Sequence, residues 1–272
     1  MDERGVSDVL AFALTFAIII TGVGLVSLVA LDPLAAFSDN QEVVNSERGL
    51  QAAGSTVDDI HRSGDRYGQF ELVPGDGALF VNETTITVEG EALGETLPAF
   101  GDEDNNSITV PVQALEHRFD ERSLGLEAGA VFRTDAAGLS YGPSVRCVDD
   151  RAVVSLVNLT TAGEIRTSGS FDPGVAIGPT RTPAETPATA ANEFAAFELR
   201  HAGVSLAQVE GPLDNETTIT VDVSETASPT NWHQALADDG WEYDEDEDRD
   251  RLHCDTDEAT VRIVTIELTQ LE

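Results

Sequence analysis

Ser140 stands in the run Gly138-Leu139-Ser140-Tyr141-Gly142, which matches the Gly-x-Ser-x-Gly pattern of a serine nucleophile. That pattern does acyl-transfer chemistry when a strained strand-to-helix turn exposes the hydroxyl and a histidine takes its proton. His201, His233 and His253 are the later histidines, and no spacing ties one of them to Ser140. Pro143 and the run SVRCVDDRAVVSL follow, which read as a further strand rather than a helix, so the two glycines suit a hairpin better. Asp244, Asp246 and Asp248 resemble the start of a calcium loop. Its sixth position is Arg249 instead of glycine and its twelfth is Asp255 instead of glutamate, which favours a solvated acidic loop. The stretch DEDNNS (102–107) fails likewise, and His253-Cys254 with His233 has no zinc spacing. No phosphate-binding glycine loop follows a strand. The sequence thus assigns no catalytic, cofactor-binding or metal-binding residue, and the expectation is a protein that is not an enzyme.

The elements around these residues read mainly as short β runs. From about Tyr67 onward, QFELV, TTITVEG, SITVPV, GAVFRT, SVRC, RAVVSLVNL, EFAAFELRHA, TTITVDV and ATVRIVTIEL carry alternation or dense β-branched residues between turn residues. Strands this short and numerous predict a sandwich-like, mainly antiparallel β domain over 67–272. NETTITV occurs at 82–88 and again at 215–221; the flanks do not align, so similar strand starts are preferred to a duplication. Residues 172–192 are rich in Pro, Thr and Ala and read as an exposed loop. SPTNWHQALADDGW (228–241) predicts one helix, with Trp232 and Leu236 on one face.

Upstream, residues 38–64 read as an amphipathic helix within a stalk over 32–66. Ser38 with Gln41, or Asp39 with Glu42, makes a capping-box start, and Gly64 supplies the stop. Val43, Leu50, Ala53, Val57 and Ile60 form a seam that faces either the β domain or a neighbouring subunit. Before it, the run from Val9 to Leu31 holds no charged residue. As a helix it would rise roughly 34 Å, against about 30 Å for a bilayer's hydrocarbon core. The expectation is a transmembrane helix over 6–31 that Pro33 stops or kinks, and hence an α+β chain in contact with membrane lipid. Its location would be the cell membrane, single-pass, with the N-terminus inside and the C-terminal domain extracellular. Four sequons, at Asn82, Asn105, Asn158 and Asn215, agree with an outside domain and are candidate glycosylation sites. Cys147 and Cys254 are the two cysteines; outside the membrane an even pair favours a disulfide, with two buried thiols as the alternative.

Fifty acidic residues stand against fifteen basic ones, all arginine, for a net charge of −35. Self-repulsion of that size is screened at about 1 M salt, where the Debye length is roughly 3 Å, so the composition points to a salt-rich setting. It also argues against nucleic-acid partners, which need clustered cations.

The segment DERGVSDVLAFALTFAIIITGVGLV resembles the class III signal segment of archaeal type IV pilins and archaellins. In that group a charged stub, here residues 1–5, precedes an apolar helix that bundles into a filament core. The resemblance implies cleavage between Gly5 and Val6 by a prepilin-peptidase-like enzyme, and other pilin-like subunits as partners. GAVFRTDAAGLSYGPSVRCVDDRAVVSLVNL and SPTNWHQALADDGW, with Cys147 and Cys254, resemble uncharacterised pilin-like surface proteins of halophilic archaea. The implied role is an extracellular surface protein, as a minor pilus component or as an adhesion or assembly partner. Asp8, a charge just inside the apolar helix, instead suits a surface binding module that does not polymerise.

Overall fold

A single helix, α1, runs from Glu3 to Ser63 through Pro33. Of the expected stop or kink, the stop does not occur: a proline deletes one backbone hydrogen bond, and the turns on either side keep the segment helical. The computed structural model describes residues 3–72, 78–101, 106–119, 122–133, 139–142, 144–162, 165, 195–210, 217–243 and 249–271. The Pro/Thr-rich stretch 172–192 lies outside them. The chain divides into two compact units, Met1–Val44 and Asn45–Glu272.

The transmembrane expectation is corrected. Among the described residues no helix is long and apolar enough to cross a membrane. The single-pass membrane location, with its inside and extracellular ends, rested on that helix and falls with it. The α+β class built on a membrane helix gives way to a mostly β architecture.

The second unit begins with the last turns of α1. Its strands are β1 (Tyr67–Leu72), β2 (Ala78–Glu89), β3 (Ser107–Phe119), β4 (Arg122–Glu127), β5 (Ala130–Arg133) and β6 (Leu139–Tyr141). They continue as β7 (Ser144–Val148), β8 (Arg151–Thr161), β9 (Ala195–Glu210), β10 (Thr217–Asp222), β11 (Arg251–Thr256) and β12 (Glu258–Leu271). Two short helices, α2 (Leu93–Thr96) and α3 (Pro229–Asp238), lie between them in sequence. One sheet has the order β1-β9-β12-β8-β7 and the other β11-β10-β2-β3-β4-β5-β6. Pairing is antiparallel throughout except between β12 and β8. The two NETTITV segments become neighbours, since β2 pairs with β10.

The sheets share one core. Alternation on β8 and β12 points Ala152, Val154, Leu156, Val261 and Ile263 at Ile86, Val88, Val110 and Val221 of the other sheet. Trp232, Leu236 and Trp241 extend that core from α3 and the segment after it. The opposite face of the five-stranded sheet carries the last turns of α1, where Leu50, Ala53, Val57 and Ile60 are buried. The seam predicted for these residues therefore faces its own β unit. Close approach is permitted by Gly68 on β1, where a Cβ would lie 2.1 Å from the Thr56 methyl. Gly64 ends the helix with φ +73°, and its N–H bonds the Ile60 carbonyl at 3.1 Å.

Cys147 and Cys254 form a disulfide with Cα atoms 5.9 Å apart. Cys147 lies on β7 and Cys254 on β11, each an edge strand of its sheet, so the bond staples the two layers together at one side.

Candidate functional site

Three places in the described residues concentrate surface or chemistry beyond ordinary packing. The first is the apolar stretch of α1. Phe12 is 73% exposed and Ile18 63%, with Leu14, Phe16, Ile19, Ile20 and Val23 similarly open. Phe12 and Phe16, one turn apart, stack at 6.2 Å between ring centroids. Burial of apolar area is worth about 25 cal/mol per Å², and soluble monomers rarely leave a continuous apolar surface uncovered. By its composition this segment calls for an apolar partner.

The second is a polar clamp under the end of α1. His61 Nε2 and Ser155 Oγ are 2.5 Å apart, and both residues are buried. Arg262 on β12 donates to the His61 carbonyl at 2.6 Å. Burial, then the Arg262 charge, lowers the pKa of the imidazole below its ordinary 6.5, against an upward pull from Asp58. Aspartate, histidine and serine thus meet in one place, a grouping that elsewhere activates a hydroxyl for nucleophilic attack. Here Asp58 Oδ1 is held by Arg62 Nε at 2.6 Å. The adjoining cavity, lined by Gly129, Gly142 and Ser144 among others, is about 20 Å³. That volume takes one water, whereas small-molecule sites run to about 300–1,000 Å³. The geometry fastens α1 to β8 and leaves Ser155 no room for a substrate.

The third is Glu127, which is fully buried at the end of β4. Its Oε2 accepts from Trp232 Nε1 at 2.8 Å and its Oε1 from the Ala227 N–H at 2.9 Å. Burial raises its pKa above 4.5, while these donors and Thr84 pull it back. The carboxyl ties the start of α3 to the seven-stranded sheet.

The residues singled out by sequence do not gather. Ser140 lies within β6, and the next element is the strand β7 rather than a helix, so the nucleophile geometry is not built. His201 is on β9, His233 on α3 and His253 on β11. His233 Nδ1 pairs with the Arg249 carbonyl at 2.6 Å, and its ring meets Tyr243 edge-on at 4.6 Å. Asp244, Asp246 and Asp248 lie outside the described residues, while Asp255 accepts from Thr218 Oγ1 at 2.6 Å. Among the described residues no group of three His, Cys, Asp or Glu side chains is placed to hold a metal ion. Asn82 sits in β2 with its amide donating to Glu116 Oε2 at 2.5 Å. Asn158 is buried in β8. Asn105 and Asn215 fall outside the described residues; Gly5 and Val6 lie on α1, and the Val6 side chain is not among those described.

His61, Ser155 and Glu127 carried no sequence signal. His61 ends a helical pattern, Ser155 interrupts a valine-rich strand, and Glu127 is one acid among many. Compared with known proteins, residues 4–269 match a family described as a family of unknown function, DUF7289. No curated protein and no solved structure matches the chain.

Proposed function

We propose that this chain, which belongs to the family of unknown function DUF7289, is a pilin-like subunit of a surface assembly. Copies associate through the apolar N-terminal stretch of α1 and display the disulfide-stapled β unit. The observation that carries this reading is the exposure of Phe12 through Val23 on the part of α1 that falls in the unit Met1–Val44. Helices that are apolar all round require burial, and a bundle of like helices supplies it. The charged stub before the apolar run supports cleavage between Gly5 and Val6 before assembly. The disulfide supports work in an oxidising setting, and the acidic surface supports a salty one. Asn82, Asn105, Asn158 and Asn215 stand as acceptors in such a setting; Asn158, being buried, would be modified before the strand packs.

Mass spectrometry of native protein recovered from sheared surface filaments tests the reading. The expected result is a chain that begins at Val6 and is present in the filaments. Protein that retains Met1 and is missing from filaments overturns it and leaves a binding module that does not polymerise.

A further inference from the structure

Pairing of β2 with β10 gives the two NETTITV segments a common face. Their alternate residues Ile86, Val88, Ile219 and Val221 enter the core. The residues between, Thr87 and its equivalent Thr220 included, therefore point away from the core. Register extends that face to the neighbouring strands. One row reads His253, Thr220, Glu89 and Ser107 across β11, β10, β2 and β3. The next reads Arg251, Asp222, Thr87 and Thr109. Neighbouring strands set the members of a row about 4.8 Å apart. No Val, Leu, Ile, Phe, Tyr or Trp stands in either row.

The first row runs into a groove of about 640 Å³, lined by Glu89, Glu91, Asn106, Ser107, Thr218 and Thr220, with Gly90 between the two acids. Small-molecule sites of that volume are lined mostly by apolar side chains, and this one has no Val, Leu, Ile or aromatic in its lining. Its occupant must therefore carry hydrogen-bonding groups over its surface. The groove's own groups are held in place. Arg251 Nη2 donates to both Glu89 carboxylate oxygens, at 2.8 and 2.7 Å. The Gly90 N–H donates to the Asn106 carbonyl at 2.8 Å, and Thr218 Oγ1 donates to Asp255 at 2.6 Å. A Cβ on Gly90 would lie 2.7 Å from Ile219 and 2.9 Å from Leu93, so the backbone there rests directly on core side chains.

We propose that this groove binds a neutral carbohydrate. Other ligand classes each lack something they need. An anion would meet Glu91, Asp222 and Asp255, while the Arg251 guanidinium is already engaged by Glu89. A metal ion lacks ligands: among the described residues no three His, Cys, Asp or Glu side chains are placed to hold one. A protein partner would look for aromatic or aliphatic anchors, which the groove does not offer. Hydroxyls that donate and accept, an amide that does both, and carboxylate oxygens that accept are what a surface of sugar hydroxyls pairs with. From Thr220 to Ser107 the row extends roughly 10 Å, enough for two sugar rings side by side. With no ring to stack on, affinity comes from hydrogen bonds and is millimolar for a single groove.

Saturation-transfer NMR of the full chain with cellotetraose, mannotetraose and chitotetraose tests it, with spermidine as the cationic counter-probe. Thr220→Val and Ser107→Ala each delete one hydroxyl of the groove, and Thr260→Val deletes one on the other sheet as a control. Circular dichroism checks that each variant retains its strands. The expected result is transfer to at least one of the sugars, with the dissociation constant raised about three- to tenfold by Thr220→Val and by Ser107→Ala and unaltered by Thr260→Val. Binding should also hold from about 0.1 M to 1 M sodium chloride, since no ion pair forms. Absence of transfer to all three sugars overturns the proposal, as does transfer that Thr220→Val and Ser107→Ala leave unchanged. Transfer to spermidine alone, lost at about 1 M salt, overturns it in favour of a polycation. The groove uses no residue of α1, so these outcomes leave the pilin-like reading as it stands. A native N-terminus other than Val6 would sink that reading and leave the groove untouched.

Discussion

Single side chains in the β unit are set to report on pH and on buried polar contacts. The His61 pKa is lowered in the folded state, so the unfolded chain binds its proton more readily. The stability it contributes is whole above about pH 6.5 and is lost as pH falls through the lower, folded value. Urea unfolding followed from pH 8 to pH 5 should show that decline, and His61→Gln should flatten it. Ser155→Ala leaves the ring nitrogen without its partner and should cost about 1–3 kcal/mol. Glu127 behaves with the opposite sign. Its pKa is raised, so its contribution is whole below about 4.5 and declines as pH rises through the folded value. Trp232→Phe removes the donor to Oε2 inside the core. It should lower stability by about 1–3 kcal/mol in urea titrations at pH 7, where the carboxyl most needs that donor.

Helix and sheet approach most closely at a glycine, and a covalent bond joins the two sheets at one side. Gly68→Ala would press a Cβ onto the Thr56 methyl, forcing that side chain to turn or α1 to lift from β1. The expected loss is about 1–3 kcal/mol, and Thr56→Ser, which deletes that methyl, should restore most of the melting temperature. Reduction of Cys147–Cys254 frees a span of 107 residues in the unfolded chain. In the entropic account this lowers stability by about 4–5 kcal/mol, to be measured as the shift in urea midpoint with and without reductant.

How much of this was legible from sequence differs from element to element. β8 and β12 announce themselves by runs such as AVVSLVNL and ATVRIVTIEL, because both faces of a central strand want aliphatic side chains. α3 was visible through Pro229 at its start and the Trp232–Leu236 spacing. β4 was hidden: in RSLGLE the glycine looks like a turn, yet Gly125 leaves room for the end of the Phe132 ring of β5, whose Cζ would lie 2.2 Å from a Cβ there. β11 was hidden by the acids before it, which coloured RLHCDT as loop. The disulfide was readable from the count of cysteines, whereas the contact between His61 and Ser155, 94 residues apart, has no local trace. The apolar run was plain as composition, and reading it as a membrane span was the step that the described helix does not support.

At the scale of the molecule, charge dominates. With a net charge of −35 in a chain of 272 residues, like charges crowd the folded state more than the unfolded one. Melting temperature should therefore climb as sodium chloride is raised from about 0.1 M towards 1 M, over which the Debye length shrinks from roughly 10 Å to 3 Å. A flat response in calorimetry would mean that the acids are spaced widely enough to ignore one another.

Strand β12 lies between β9 and β8 in the five-stranded sheet, yet it follows both along the chain. While translation or transport delivers the polypeptide in order, those two strands emerge early and wait with their inner edges bare. They have no hydrogen-bonding neighbour on that side until residues 258–271 thread in. Vectorial folding can finish the hairpins but not this layer. Newly made protein consequently passes through an interval in which it is most exposed to tangling with its siblings.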